Sequence, residues 1–195
     1  MAGLLDGRRF ALAAFMTVAG AGLVCLLKVR PLELTVLLAG LLAANIARRW
    51  LKRRRTGEAF GHVFVVVTSA VIGYLTESWG TTNAYWTYHF LPPGQHVPLW
   101  VPLAWAIAGE LLHFVEAPPK TFPTSPALAL AVAYATGMFF PLLGEAIAVA
   151  NGVWTYYWPY QILGIPLAAL LLIAYAHLAF GAIRAGVATK FPARA

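Results

Sequence analysis

Three carboxyl groups of this chain fall inside long apolar runs, where a charge is least tolerated: Glu77, Glu110 and Glu145. A charged group at the centre of a membrane helix costs roughly 2.5–3.5 kcal/mol on insertion scales, so such a glutamate is a functional candidate. Loss of water favours the neutral form of a carboxyl, and a neutral carboxylic acid in an apolar pocket is a general acid. The plainer alternative is a neutral glutamate hydrogen-bonded to a neighbouring helix. Glu110 and His113 stand at i and i+3 and share a helix face. His177 is expected at a similar depth, and His62 near the inner end of its helix. Carboxylate-bridged metal bundles need two Glu-x-x-His pairs plus further glutamates. The chain has one such pair, so polar contacts between helices are expected there, with no metal and no cofactor. Phosphate-binding glycine loops, zinc motifs and serine elbows are absent from the sequence.

Two of the glutamates belong to a repeat. Shifting the chain by 68 residues lays Glu77 on Glu145, Asn83 on Asn151, and Trp86-Thr87-Tyr88 on Trp154-Thr155-Tyr156 without a gap. Pro98-Leu99 then falls on Pro166-Leu167, and Ala106 on Ala174. Only 7 residues are tryptophan, so Trp-Thr-Tyr recurring in register with a glutamate, an asparagine and a proline marks a duplication. The loops at 78–96 and 151–159 are rich in aromatics, among them Trp79, Tyr85, Phe90, Tyr157 and Trp158, with His89 beside them. An interfacial aromatic belt accounts for rings at this level. It does not require one Asn-x-x-Trp-Thr-Tyr order twice, which suggests rings and amides aimed at something specific.

The elements that must position these groups are membrane helices. Of 195 residues 61% are hydrophobic and 11% charged, with a mean hydropathy of +0.72. Soluble domains carry roughly 25% charged residues, and a chain this size cannot hide so much apolar surface in its own core. The reading is an all-α polytopic bundle, one transmembrane domain over 1–195. Six spans are predicted near 9–27, 31–47, 59–77, 97–115, 126–150 and 160–182, each long enough or nearly so to cross a bilayer. Residues 1–55 hold spans one and two and a basic loop; 59–115 and 126–182 are the two repeat units. Each unit runs span, outer loop, span, so the copies are expected to be parallel about an axis along the membrane normal. The first run follows Arg8 and Arg9 without a small-residue cleavage site and is expected to be a retained span.

The net charge of +7 is confined to short connections, which argues for topology signals rather than nucleic-acid binding. With six spans, Arg8, Arg9, Arg48, Arg49, Lys52, Arg53, Arg54, Arg55, Lys120, Arg184, Lys190 and Arg194 share one side; Lys28 and Arg30 hold the other. Twelve against two predicts cytoplasmic termini, in what is expected to be a bacterial inner membrane. Membrane lipids are the expected surroundings.

The segment Glu77-Ser78-Trp79-Gly80, Tyr85-Trp86-Thr87-Tyr88 and Val97-Pro98-Leu99-Trp100-Val101-Pro102-Leu103-Ala104-Trp105 resembles the membrane carotenoid hydratases of the bisanhydrobacterioruberin hydratase type. The paired units are also similar to the small membrane lycopene cyclases, in Gly152-Val153-Trp154-Thr155-Tyr156 and Gly164-Ile165-Pro166. The resemblance covers about 73–175; it differs in that apolar residues, not paired glutamates, follow Pro98 and Pro166. It implies an enzyme of isoprenoid metabolism, a hydratase or cyclase, that protonates an alkene and guides the resulting tertiary cation. On that reading Glu77 and Glu145 are the acids, and Asn83 and Asn151 orient a water or a carboxyl. Trp86, Tyr88, Trp154 and Tyr156 present π-faces to a lipid-soluble substrate; Glu110 and His113 are further substrate-binding candidates. Other readings are a related terpene- or polyketide-cyclising enzyme, a small proton- or cation-coupled transporter, and a non-catalytic accessory subunit. A break in the helix near Pro141 and Gly144 would favour transport.

Overall fold

The computed structural model describes residues 7–52, 57–116 and 125–190. Arg53, Arg54, Arg55, Lys120 and Arg194 lie outside them, as does the side chain of His113. The chain is mostly helical: α1 (Gly7–Leu27), α2 (Pro31–Lys52), α3 (Gly57–Thr82), α4 (Val101–Glu116), α5 (Pro126–Ala150) and α6 (Leu167–Lys190). Between them lie four short strands, β1 (Trp86–Tyr88), β2 (Trp154–Tyr156), β3 (Gln161–Ile162) and β4 (Ile165–Pro166). Helices α1, α2, α3 and α5 each contain an apolar stretch of 21 residues, long enough to cross a membrane. Their outward faces carry Phe15, Leu26, Val36, Leu41, Val67 and Leu75, all exposed. Continuous apolar exterior of this kind needs lipid as its solvent, and the protein is an integral membrane protein.

The helices pair as two arms, α3 on α4 and α5 on α6, with α3 also meeting α6 and α4 meeting α5; α1 lies on α5 and α4. Small residues set the approach, as lipid provides no hydrophobic drive between helices. Ser69 and Ala106 are buried in the first arm, where a Cβ on Gly109 would come within 3.3 Å of Ser69 Oγ. In the second arm a Cβ on Gly137 would lie 3.3 Å from both Ala174 Cα and His177 Cδ2. α5 starts on Ser125, whose side chain accepts from Leu128 N, followed by Pro126 in the first turn.

The fourth span, expected from 97, begins at Val101, and two connections also depart from the sequence reading. The sixth span, expected from 160, begins only at Leu167, because β3 and β4 form a tight hairpin first. Its turn residues Leu163 and Gly164 have φ of 55° and 79°, the left-handed pair that a two-residue hairpin turn demands. The other departure is the pairing of the two Trp-Thr-Tyr segments with each other, expected as loops and found as antiparallel strands. Among the described residues, the apolar stretches of α4 and α6 are shorter, Val101–Leu112 and Leu167–Ala179.

Candidate functional site

Helices α3 and α5 end in the same way. Tyr85 N donates to Gly80 O and Ala84 N to Thr81 O; 68 residues later Val153 N donates to Ala148 O and Gly152 N to Val149 O. This is the paired 6→1 and 5→2 bonding of a Schellman cap, with Ala84 (φ 56°) and Gly152 (φ 65°) at its left-handed position. The cap turns each chain sharply back, so the next three residues run beside the helix they have just left. Glu77 and Glu145, each within the last two turns, then face the strand that follows.

The strands close on each other about Thr87 and Thr155, with Trp86 opposite Tyr156 and Tyr88 opposite Trp154. Two further bonds extend the pairing, His89 N to Val153 O at 2.9 Å and Tyr157 N to Tyr85 O at 2.8 Å. Side chains alternate across a strand, so the threonines point outward and are exposed while Trp86, Tyr88 and Trp154 are buried. The rings meet edge-on, Trp86 with Tyr156 at 5.7 Å and Tyr88 with Trp154 at 5.4 Å between centroids. Fixed order in the repeated motif is thereby explained: Trp and Tyr face inward, Thr faces out.

The polar tips of these rings end on the glutamates. Trp86 Nε1 and Tyr88 Oη donate to Glu77 Oε2 at 2.8 and 2.9 Å. Trp154 Nε1 and Tyr156 Oη donate to Glu145 Oε2 at 3.0 and 2.8 Å. Burial, and then the neighbouring carboxyl, pushes both tyrosine hydroxyls well above the usual tyrosine range, so they remain protonated donors. Trp105 of α4 adds a third donor to the first glutamate, Nε1 to Oε1 at 3.0 Å.

Both glutamates are half-buried and line one apolar cavity of about 250 Å³. Its wall follows α4 from Val101 to Leu112, a rise of about 16 Å at 1.5 Å per residue. α1 forms the facing wall through Thr17, Ala21 and Val24, and α5 through Phe140, Pro141, Gly144 and Ala148. Met16, Gly20 and Ala108 line the cavity and are also exposed, so it opens sideways between α1 and α4.

The residues singled out in the sequence are distributed unevenly around this cavity. Tyr88 and Trp154 line it, joined by Trp100 and Trp105, whereas Trp86 and Tyr156 stand behind and hold the carboxyls. The side-chain amides of Asn83 and Asn151 donate to Trp79 O and Ile147 O at 2.7 Å; both asparagines are exposed and cap the helices, away from the carboxyls they were expected to orient. Glu110 is not at the cavity. It sits between helices, with Arg49 Nη2 2.9 Å from its Oε2 and His62 Nδ1 3.0 Å from its Oε1. His177 is buried. No group of three or more metal-ligating side chains occurs among the described residues. Three of the other loop aromatics cluster: Tyr85 stacks on Trp158 at 4.7 Å, with Trp79 against Tyr85 at 5.0 Å.

Sequence reasoning gave Trp100 and Trp105 no role at the site and missed the α1 wall. Trp105 has no counterpart in the repeat, since 68 residues later stands Ile173, and a search for matched pairs passes over it. α1 carries no polar residue at the cavity beyond Thr17 and announces itself only through the small residues Gly20 and Ala21.

Gly80 shows how tightly this arrangement is fitted. A Cβ there would overlap the six-membered ring of Trp86 at Cη2, Cζ2 and Cζ3. Overpacking costs about 1–3 kcal/mol, and a displaced Trp86 would deprive Glu77 of a donor, about 1–3 kcal/mol more. Gly80→Ala should therefore lower stability in detergent by roughly 2–6 kcal/mol, read from thermal unfolding. A loss under about 0.5 kcal/mol, the ordinary surface range, would mean the ring is not fixed there.

Comparison with protein-family models, curated proteins and solved structures gives no match for the chain.

Proposed function

We propose that this membrane protein is an enzyme of isoprenoid metabolism that protonates a carbon–carbon double bond and delivers the cation to water or to an internal alkene. The observation that carries this reading is one apolar, laterally open cavity lined by two carboxyl groups and by Tyr88, Trp100, Trp105 and Trp154. An apolar cavity of about 150 Å³ takes up benzene. One of about 250 Å³ suits the end group of a longer isoprenoid whose remainder leaves through the opening between α1 and α4.

The chemistry balances without any other reagent than water. A carboxylic acid O–H bond breaks as a C–H bond forms at one alkene carbon; the π pair makes the new bond and the O–H pair stays on oxygen. Tryptophan and tyrosine donors stabilise the carboxylate left behind, and ring faces stabilise the tertiary cation. In hydration a water adds to the cation and its spare proton returns to the carboxylate. In cyclisation a second alkene attacks and an adjacent C–H proton returns instead. The resemblance to carotenoid hydratases and lycopene cyclases supports the same chemistry.

On this reading α4 and α6 also cross the bilayer, the termini are cytoplasmic, and the two units are related by an axis along the membrane normal. A break in the helix near Glu145 would favour transport; α5 runs without interruption from Pro126 to Ala150 through Pro141.

The test is conversion in heavy water. Purified protein in liposomes loaded with acyclic carotenoid polyenes should place one carbon-bound deuterium in the product, with added water for hydration and without it for cyclisation. Absence of carbon-bound deuterium across such a panel would remove the enzymatic reading.

A further inference from the structure

The two glutamates occupy equivalent places in the repeat, and the cavity does not treat them equally. Each accepts a Trp N–H and a Tyr O–H on Oε2. They differ at Oε1. Glu77 Oε1 accepts Trp105 Nε1 at 3.0 Å. The equivalent of Trp105 is Ile173, which lines the same cavity and has no N–H to offer. Among the described residues Glu145 Oε1 makes no hydrogen bond, and it is not among the buried atoms lacking a partner, so it stays open where Glu145 lines the cavity. A tryptophan N–H donates only and cannot accept, so no proton on Glu77 Oε1 can be passed to Trp105. The space for that ring is built in: a Cβ on Gly73 would collide with Trp105, and position 141, the equivalent of Gly73, is proline.

From this we infer that the duplicated acids have divided their work: Glu145 is the proton donor, through Oε1, and Glu77 is a positioning residue that Trp105 has closed off. The inference rests on the acid-catalysis reading above and says which half of the repeat performs it. Glu145 donates from Oε1 while its Oε2 keeps two donors, which then steady the carboxylate formed. Glu77 fixes Trp86, Tyr88 and Trp105, two of which face the substrate space. The duplication supplied two identical acids, and exchange of one side chain across the repeat, Trp105 against Ile173, made them different.

Dicyclohexylcarbodiimide tests this without turnover. It is apolar and adds to a neutral carboxylic acid, whose O–H adds across one C=N bond with no leaving group. It therefore reports accessible acids inside a membrane. With the full-length protein in liposomes, mass spectrometry of peptides should find label on Glu145 at least about tenfold above Glu77, and Glu145→Gln should abolish it. Trp105→Phe, which removes the N–H and keeps a ring, should bring label to Glu77. Equal labelling of the two, preference for Glu77, or no label at either overturns the inference. Labelling confined to Glu145 in a protein that never deuterates a polyene leaves the division of acids standing and removes the enzymatic reading. Polyene conversion lost in Glu77→Gln and kept in Glu145→Gln does the reverse.

Discussion

Glu145→Gln should lower conversion of an acyclic polyene by about 10²–10⁴-fold, the range that a positioned general acid contributes. Glutamine keeps the shape, and its carbonyl oxygen can still accept from Trp154 Nε1 and Tyr156 Oη, which now lie 3.0 and 2.8 Å from Glu145 Oε2. Packing of β1 on β2 should survive, and the loss should fall on kcat with little change in KM. Glu77→Gln is expected to behave differently. Its amide must turn either its NH2 toward Trp105 Nε1 or its NH2 toward Trp86 Nε1, and either way two donors face each other. One tryptophan then moves, and the cavity changes shape. That variant should lose stability, and its lower conversion should come with a raised KM and a kcat reduced by no more than about tenfold. Initial rates across a range of polyene loading, with circular dichroism as a control on folding, separate the two. If both single variants convert polyene at the parental rate, neither carboxyl is the acid.

Much of this arrangement is legible in the sequence, and the part that is not has a physical reason. A carboxyl inside an apolar run is conspicuous because its solvation cost is large, and Glu77, Glu110 and Glu145 stand out on that ground alone. The recurrence of Trp-Thr-Tyr places the aromatic groups relative to those acids, yet it cannot reveal that the two copies pair with each other. Three residues are too few for an alternating pattern to declare a strand, and the partner lies 68 positions away. Asn83 and Asn151 attract attention through their exact recurrence, but what recurs is a helix cap. Local backbone demand and chemistry leave the same trace in a repeated motif. Trp105 teaches the complementary lesson: the group that distinguishes the two sites is the one that breaks the repeat.

Arg49→Leu should reduce stability by about 3–5 kcal/mol, the usual consequence of removing one partner from a buried ion pair. Glu110 is only 5% exposed on α4, and Arg49 reaches it from α2 with a side chain that is still one-third exposed. His62 of α3 meets the other carboxylate oxygen, so three helices converge on one carboxyl. Leucine in place of Arg49 leaves that carboxyl in the core without its guanidinium. Glu110→Gln leaves a cation that can turn to the aqueous interface, and its cost should be smaller, about 1–2 kcal/mol for the altered hydrogen bonding. The double variant Arg49→Leu with Glu110→Leu should recover most of the loss, since replacing both members of a buried pair by apolar groups is often neutral. Thermal unfolding of the four proteins in one detergent closes the cycle. None of these three residues lines the cavity, so polyene conversion per folded molecule should stay within about twofold of the parent. Arg49→Leu unfolding at the parental temperature would show that Glu110 does not depend on this arginine for its place in the bundle.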